Sequence, residues 1–377
     1  MKEIHGLNWL RGISAILVLL SHARSFFYVN FPDYLGNQFL GKIFYLITGL
    51  GTSAVIIFFV LSGYLVAGSL HRNYSNGKWD KYNYLSSRLS RLWIVFIPCL
   101  LMTLVLDQLG YRISPEFYRG DLSGEIYSGP KGNADWSLST FIGNILFLQK
   151  IYFPIFGSNG PFWSLANEFW YYILFPFLFF IFIDKKNKFL YSIFFIVLCI
   201  FVGWDVIKLF PIWLLGYLSF VFKDSFFSNI LQKNKYIALG GVLVFVGAVF
   251  IVRILGIQDS LFGYYLIGVL SSMLIFSLHH PIFCNLKSIS GFISKISYSL
   301  YLVHFPILTF IFTCTGLVRY DSILSGFLIF LFSILISFFV AYAFWYFFEK
   351  NTIKLKLLID LIFTSLRKRI KNVYSND

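Results

Sequence analysis

Runs of mostly apolar residues, each about as long as the 20 residues that cross a bilayer as a helix, recur along this 377-residue chain. The chain is 58% hydrophobic and only 13% charged, whereas soluble domains are about 25% charged. Soluble domains built from it would lack polar surface, so we predict an all-α polytopic integral membrane protein. The ten or so predicted transmembrane helices are 8–28, 52–70, 92–109, 161–183, 189–204, 209–222 (a short one), 236–254, 262–278, 297–318 and 322–348.

The distribution of basic residues predicts the orientation of these helices. Ten spans place both termini on one side, and 21 of the 31 lysines and arginines then lie on that side, with nine opposite and Arg11 inside the first span. Cytoplasmic loops carry the excess of Lys and Arg, so both termini are predicted to be cytoplasmic. The first span contains Arg11 and His22 and lacks a small-residue cleavage site, so we interpret it as a retained helix and not as a signal peptide.

One apolar segment does not follow the spanning pattern. Residues 141–156 are interrupted by Asn144, Gln149, Lys150 and Pro154. Irregular backbone is tolerated at membrane depth only where protein or a water-filled cavity surrounds it. We therefore predict an interfacial or re-entrant segment here.

The end of the chain is basic and amphipathic. We predict a transmembrane domain over 1–353 and a basic cytoplasmic tail over 354–377 that lies on anionic lipid. Nucleic acid is not an expected partner. The four cysteines form no metal-binding spacing and are interpreted as packing residues, so no metal is expected: Cys99, Cys199, Cys284 and Cys314.

Arg11 and His22 are ionisable residues inside the first span. Such residues cost about 2.5–3.5 kcal/mol each on insertion scales and therefore indicate function. Eleven residues turn a helix through about 1100°, close to three whole turns, and advance it by about 16 Å. Both side chains thus share one face, with Arg11 nearer the cytoplasm. Two structural alternatives remain open: Arg11 extends to lipid headgroups, or His22 is a packing residue.

Arg88 and Arg91 lie where the third span begins on the cytoplasmic side. Residues three apart share a helix face, and two guanidinium groups suit forked hydrogen bonds to phosphate or pyrophosphate. The alternative is a basic pair that only fixes the topology of the helix.

Three further ionisable residues lie at or within predicted spans. Glu168 is expected near the extracytoplasmic start of the fourth span, with no obvious cation nearby in the sequence. Glu349 ends the tenth span, where an anion opposes the helix dipole, so we expect it to pair with a cation. For both residues a functional and a purely structural role remain open. For His304, inside the ninth span, the structural interpretation is preferred.

Short motifs contain most of these residues. In chain order they are Leu10-Arg11-Gly12 with His22, the stretch from Phe58 to Leu65 (FFVLSGYL), Arg88-x-x-Arg91, Trp163-Ser164-Leu165 with Glu168, Tyr298-Ser299-Leu300-Tyr301-Leu302-Val303-His304, and Phe348-Glu349. Together, over residues 5 to 353, they resemble the motifs of the membrane acyltransferase-3 family in the family's order.

This resemblance implies a membrane O-acyltransferase of the bacterial inner (plasma) membrane that uses acyl-CoA from the cytoplasm. The family usually O-acetylates surface polysaccharides, so the expected acceptor is a glycan or a lipid-linked sugar, such as O-antigen (lipopolysaccharide), capsule or exopolysaccharide. Some members carry a fused SGNH hydrolase-like domain that is thought to receive the acyl group. This chain is expected to lack that domain and to transfer the group within the membrane domain or through a partner.

The motifs and the helix geometry suggest roles for individual residues. The phosphates of acetyl-CoA are expected at Arg88 and Arg91, with Arg11 at the same end and the thioester delivered to His22. His22 then acts as a general base on the acceptor hydroxyl or takes the acyl group first. Glu168 is expected to orient the imidazole or to bind sugar hydroxyls. The further candidate site residues are Glu349, His304 and Tyr301.

Other functions remain open at this stage. In a transporter or flippase, Arg11, His22 and Glu168 would line a substrate or proton path, but the sequence shows no internal repeat. An acyltransferase acting on a small cytoplasmic molecule or on peptidoglycan is also compatible with the motifs. The sequence does not define the acceptor hydroxyl, the acyl group or the oligomeric state, and a homo-oligomer is possible.

Overall fold

The computed structural model describes residues 5–122 and 129–374. Within these ranges the side chains of 227, 231–233, 284–290 and 368–374, including that of Cys284, are outside the description. The helices are α1 (His5–Phe27), α2 (Gln38–Thr48), α3 (Gly51–Ser62), α4 (Gly68–Ser75), α5 (Lys81–Ile113), α6 (Pro115–Arg119), α7 (Leu138–Ile145), α8 (Phe162–Ile183), α9 (Lys188–Ile207), α10 (Phe210–Val221), α11 (Phe226–Lys233), α12 (Lys235–Ile254), α13 (Leu261–Leu278), α14 (Lys287–Cys314), α15 (Ile323–Phe347) and α16 (Thr352–Tyr374).

The predicted fold class is confirmed. Nine helical stretches of the described residues are long and apolar enough to cross a membrane, and α10 is a shorter apolar helix at the position of the short sixth prediction. The helix that contains the third predicted span is longer than the span itself, since α5 begins eleven residues before residue 92, at the Asp80 N-cap that accepts from Asn83 N at 2.7 Å. We call the end of the bundle at which α1 begins the inner end, and the other the outer end.

Close helix packing occurs where two glycines face each other. A π-helical turn over Gly63–Ala67 joins α3 to α4. A Cβ atom at Gly63 would collide with the carbonyl oxygen of Trp213 in α10, and one at Gly216 with that of Val60 in α3. Small residues of this kind let membrane helices approach closely. The contact fixes the π-helical turn, which is the wall of the cavity described below.

Prolines inside two spans free backbone carbonyls that neighbouring segments then use. Pro306 in α14 has no N–H for the carbonyl of Leu302, which instead accepts from Asn159 Nδ2 at 3.0 Å and Cys99 Sγ at 3.1 Å. Pro176 in α8 similarly frees a carbonyl four residues earlier, which accepts from Tyr84 Oη at 3.0 Å. Such substitute partners make proline tolerable at membrane depth.

The segment over 141–156 does not span the bundle, in agreement with its prediction. It consists of the end of α7 followed by turns, with the side chains of Phe147 and Phe156 buried. Asn144 Nδ2 donates to the carbonyl of Thr140, just before this segment (2.8 Å), and to that of Pro154 within it (3.0 Å). Its Oδ1 accepts from Phe156 N at 3.1 Å. The polar residue that interrupts the apolar pattern therefore satisfies the irregular backbone.

The basic end of the chain forms a helix that packs on α5. In α16, Phe363 lies 5.9 Å from the ring of Tyr82 (centroid to centroid), and the guanidinium of Arg367 lies 4.2 Å from the same ring. The predicted boundary after residue 353 lies within the first turn of α16. The two-part division and the contact with anionic lipid stay predictions.

Candidate active site

Helices α1 and α14 run side by side in the same direction and contact each other at two levels. Near the inner end, Arg11 Nη2 donates to the carbonyl oxygen of Ser294 at 2.9 Å and to its hydroxyl at 2.5 Å. Farther along, His22 Nδ1 lies 3.0 Å from His304 Nε2. Eleven residues separate Arg11 from His22 on α1, and ten residues separate Ser294 from His304 on α14. Arg11 and His22 therefore share the α1 face that packs on α14, as their spacing predicts.

The two imidazole rings form a pair with defined roles. His304 Nδ1 lies 2.9 Å from the carbonyl oxygen of Leu300, which can only accept, so this nitrogen donates. In a neutral imidazole the other nitrogen then accepts, so His304 Nε2 accepts from Nδ1–H of His22. These proton positions follow from the hydrogen-bond network. They leave the Nε2 lone pair of His22 available, which is the tautomer that a general base at Nε2 requires.

The surroundings of the histidine pair are apolar. His304 is fully buried. The two rings are stacked with centroids 5.2 Å apart, and the edge of Phe305 contacts His22 at a centroid distance of 5.0 Å. No ionised carboxylate is recorded in hydrogen-bond contact with either ring among the described residues. An apolar site of this kind favours the neutral form of both imidazoles.

A cavity of about 270 Å³ lies on the inner side of this pair. Polar side chains converge in it from five helical segments, the end of α3 with the π-helical turn, α1, α5, α8 and α14. The lining polar residues are Arg11, Ser62, Arg88, Arg91, Ser164, Glu168, Tyr172, Ser297, Tyr298 and Tyr301. Most of the sequence-predicted site residues therefore share one cavity, although the sequence separates them by nearly 300 positions.

Arg91 is held by the ion pair expected for Glu349. Arg91 Nη1 lies 2.6 Å from Glu349 Oε1, and Glu349 is only 6% exposed. The second carboxylate oxygen accepts from the hydroxyl of Ser299 at 2.6 Å and from its N–H at 3.3 Å. The guanidinium also lies 4.9 Å from the ring centroid of Tyr298. Arg91 thus has an anionic partner and an aromatic partner inside the protein.

Arg88 is held more loosely. Its Nη2 donates to the hydroxyl of Ser69 in α4 at 3.0 Å. The guanidinium lies near two aromatic rings, those of Tyr84 at 5.4 Å and Tyr172 at 5.9 Å from the centroids. None of the ion pairs among the described residues includes Arg88. The predicted arginine pair therefore divides into one cation that is ion-paired within the protein and one that is in none of the ion pairs of the described residues.

Glu168 does not lie near the outer surface, where the sequence placed it. The segment before α8 folds into the bundle, so α8 begins in the interior, where Ser164 contacts Tyr301 near the middle of α14. Glu168, one turn farther inward, accepts from the hydroxyls of Ser62 (2.9 Å) and Tyr172. It lines the cavity with the arginines, and its recorded hydrogen bonds do not include His22. The imidazole instead has His304 as its partner.

Tyr301 separates the cavity from the histidine pair. Its hydroxyl is 2.6 Å from that of Ser164 and 3.4 Å from the carbonyl oxygen of Pro161. Its ring contacts Phe58 on the cavity side, with centroids 5.6 Å apart, and His304 on the other side at 6.1 Å. Tyr301 therefore lies where the cavity lining meets the histidine pair.

Sequence reasoning missed several partners that define the site. Ser294 holds Arg11, and Ser62 and Tyr172 hold Glu168. Tyr172 had a visible signal, because it lies four residues after Glu168 and shares its helix face. Ser294 and Ser62 had none of their own, since a single serine near a helix end indicates no particular partner. Within the described residues, no group of three or more His, Cys, Asp or Glu residues could hold a metal ion.

Comparisons with known proteins identify the family of the chain. The family model described as an acyltransferase domain matches residues 4–346. The O-acetyltransferase OatA of Staphylococcus aureus strains NCTC 8325 / PS 47, COL and MRSA252 is 26% identical over 350 residues, a match that covers 82% of this chain and 51% of each relative. The chain thus spans about half the length of these curated relatives. No solved structure matches significantly.

Proposed function

This chain belongs to the acyltransferase domain family, and from that premise we propose that it is a multi-pass membrane O-acyltransferase of the bacterial inner membrane. The proposed reaction moves an acetyl group from acetyl-CoA at the inner end to a hydroxyl of a cell-surface or lipid-linked polysaccharide. One observation carries the proposal. The helix pair α1 and α14 holds an arginine-lined cavity at one level and, about three turns farther along, a histidine whose tautomer suits a general base.

The inner cavity suits the anionic part of an acyl-CoA. Arg88 keeps its charge among aromatic rings, and guanidinium groups bind phosphate through forked hydrogen bonds. Arg11 lies at the same level of the bundle, fixed by Ser294. Apolar residues of α3 and the π-helical turn, among them Phe58 and Leu65, complete the wall along which a flexible arm would lie. The roughly 16 Å between Arg11 and His22 matches the reach of such an arm.

His22 performs the central step in this proposal. Its Nε2 takes the proton of the acceptor hydroxyl as that oxygen attacks the carbonyl carbon of the acyl thioester. The carbon–sulfur bond then breaks, and the imidazolium returns the proton to the leaving thiolate. His304 keeps the proton of His22 on Nδ1 before and during the reaction, so that it acts as a positioning residue.

Glu168 serves the cavity in this proposal. Hydrogen bonds from Ser62 and Tyr172 fix its carboxylate beside the arginines. In this proposal it balances part of the positive charge of a cavity that receives anionic groups. A carboxylate removed from this position would leave Tyr172 and Ser62 without their acceptor.

Proteoliposomes containing the full chain test the proposed function. With acetyl-CoA supplied on the inner side and a polysaccharide acceptor present, we expect release of the free CoA thiol and base-labile acetyl on the glycan. His22→Gln should lower both by about 10²–10⁴-fold, the usual contribution of a general base, while His5→Gln serves as the matched control. Full transfer by a correctly inserted His22→Gln protein contradicts the role of His22. Acceptor movement without CoA release by the unsubstituted protein supports a transporter instead.

A further inference from the structure

Three arginines from separate parts of the chain come together at the outer end. Arg24 lies in the last turn of α1, Arg253 in the last turn of α12, and Arg319 in the turn between α14 and α15. Arg24 lies 5.1 Å from the ring centroid of Tyr45 in α2, and Arg253 lies against Gly49, one turn later along the chain. Arg319 donates to the carbonyl oxygen of Tyr28, next to the Val29 carbonyl that accepts from Tyr45 Oη. We call the three arginines the outer arginine cluster. All three belong to the nine basic residues that oppose the charge distribution favouring cytoplasmic loops, so topology does not explain them.

The members of the outer arginine cluster differ in how they are held. Arg319 donates to the carbonyl oxygen of Tyr28 from Nε (3.1 Å) and Nη2 (2.8 Å), and reaches Asn30 Oδ1 at 3.4 Å. The buried Nε of Arg24 has no hydrogen-bond partner among the described residues, and the guanidinium lies 5.1 Å from the ring centroid of Tyr45. None of the ion pairs formed by the described residues includes Arg24 or Arg253.

The backbone beside Arg253 adds donors to the same place. Its guanidinium lies against Gly49, where an added Cβ would be 2.6 Å from Cζ. Gly49 ends α2, and α3 begins two residues later without a side-chain cap, so its first N–H groups have no such acceptor. Asp259 lies at the same helix terminus, where it accepts from Thr52 Oγ1 at 2.8 Å and from Gln258 Nε2 at 2.9 Å. Its carboxylate is in none of the ion pairs formed by the described residues.

We propose that the outer arginine cluster, together with the N-terminus of α3, binds a phosphate group. Like charges brought together repel one another, and an anion between them removes that cost. Arginine binds phosphate through two parallel hydrogen bonds, and uncapped helix N-termini supply further N–H donors and a partial positive charge. Two sources share this chemistry at an outer membrane interface: the head group of a lipid, or a phosphate carried by a glycan.

The site lies beside the histidine pair. The first residue of α3, Gly51, lies against Ser21, the residue before His22. Arg24 follows His22 by two residues, which is about 200° around the helix, so the two side chains project from opposite sides of α1. The phosphate therefore anchors its molecule next to the reacting atoms, on another face of α1. The inference does not depend on the proposed function.

The test uses the purified full chain in a phosphate-free detergent and follows its melting temperature during titration with inorganic phosphate, with chloride at equal ionic strength as reference. A ligand that binds only the folded state raises the melting temperature as its concentration exceeds Kd. We expect a saturable increase for the unsubstituted chain, at least a tenfold weaker apparent Kd for Arg253→Gln and Arg24→Gln, and an unchanged Kd for Arg112→Gln, an exposed arginine at the end of α5.

Two further comparisons complete the test. Without phosphate, Arg253→Gln should melt at the same or a higher temperature, because repulsion is relieved; a purely structural arginine would lower it. If Arg253→Gln does not fold, Arg253→Lys replaces it, keeping the charge but losing the forked geometry. Dodecyl phosphate binding more tightly than a sugar 1-phosphate assigns the site to lipid, and the reverse order assigns it to a glycan. Equal phosphate effects in Arg253→Gln, Arg24→Gln and Arg112→Gln, or no effect in the unsubstituted chain, overturn the proposal.

Discussion

The inner cavity and the histidine pair lie on the same two helices but stabilise polar groups in opposite ways. In the cavity, permanent charges have partners supplied by the fold: Glu349 for Arg91, Ser294 for Arg11, and Ser62 with Tyr172 for Glu168. Around the pair, a buried imidazole and the edge of Phe305 surround His22. The cavity is therefore suited to bind a charged ligand, and the histidine pair is suited to keep His22 as a neutral base. Substitutions in the cavity should change KM for acetyl-CoA, and substitutions in the histidine pair should change kcat.

The largest effect predicted by this comparison concerns His304. In His304→Leu, the Nδ1–H of His22 loses its acceptor, so its ring and tautomer are no longer fixed. We expect kcat for acetyl transfer to fall by about 10²-fold, the lower end of a general base's contribution, with KM for acetyl-CoA within about twofold. His304→Gln keeps an acceptor oxygen and should recover part of the loss. Steady-state kinetics in proteoliposomes measure both constants.

Two results would separate positioning from packing at His304. If His304 only fills space, His304→Leu, which is apolar and of similar bulk, should have a higher kcat than His304→Gln. If His304 positions the imidazole of His22, His304→Gln should have the higher kcat. A Leu variant with the kcat of the unsubstituted chain would show that the hydrogen bond from His22 has no part in the reaction.

The pairing with His304 also shows what the sequence could and could not predict. Helix spans and the shared face of Arg11 and His22 follow from hydrophobic periodicity and from residue spacing, both of which are local. The contact between His22 and His304 depends on α1 and α14 being parallel neighbours, although 282 residues separate them in the chain. No local pattern records that packing. The sequence therefore favours a structural role for His304 as a single buried histidine, and it contains no signal for the contact with His22.

Glu168 was misplaced for a related reason. Counting residues from the predicted start of the fourth span puts it near the outer surface. The start of α8 is instead carried inward by the re-entrant segment, whose buried Phe147 and Phe156 pack inside the bundle. The interruption by Asn144 predicted that this segment is irregular but gave no measure of how deeply it enters. The depth of this segment depends on tertiary packing, and an error in the predicted depth misplaces Glu168 and the other residues of the helix that follows.

A second, smaller effect distinguishes Arg88 from Arg91, which the sequence treats as one pair. Arg88→Gln should raise KM for acetyl-CoA by about tenfold, since a hydrogen bond to a charged group contributes about 1.5–3 kcal/mol, and leave the melting temperature nearly unchanged. Arg91→Gln should mainly destabilise the fold, because Glu349 stays buried without its cation. Removing one partner of a buried pair costs about 3–5 kcal/mol. We expect less here, since the Arg91 side chain is 35% exposed.

The double variant Arg91→Gln with Glu349→Gln provides the control for this pair. It removes both charges and should be less destabilised than Arg91→Gln alone, with the Ser299 hydroxyl still bonded to the amide oxygen. Lys78→Gln, an exposed cation at the inner end, controls for the loss of a positive charge in general. Equal KM increases for Arg88→Gln and Arg91→Gln, with equal stability, would show that the two arginines act together as a phosphate clamp after all.

The smallest expected effect concerns Tyr301, which stands between the two regions. Tyr301→Phe removes the hydroxyl bonded to Ser164, but that serine keeps the Pro161 carbonyl at 3.1 Å as an acceptor. The loss should therefore lie near the low end of the about 0.5–1.5 kcal/mol of a neutral hydrogen bond, and acetyl transfer should change by less than about threefold. Tyr301→Ala, in contrast, removes the ring between Phe58 and His304 and opens the cavity to His22. Water that enters along this path competes with the acceptor, so the ratio of CoA release to acetyl transfer should rise. An increase in that ratio would show that the ring of Tyr301 is a barrier to water. If the ring has no such role, Tyr301→Ala should lower CoA release and acetyl transfer together.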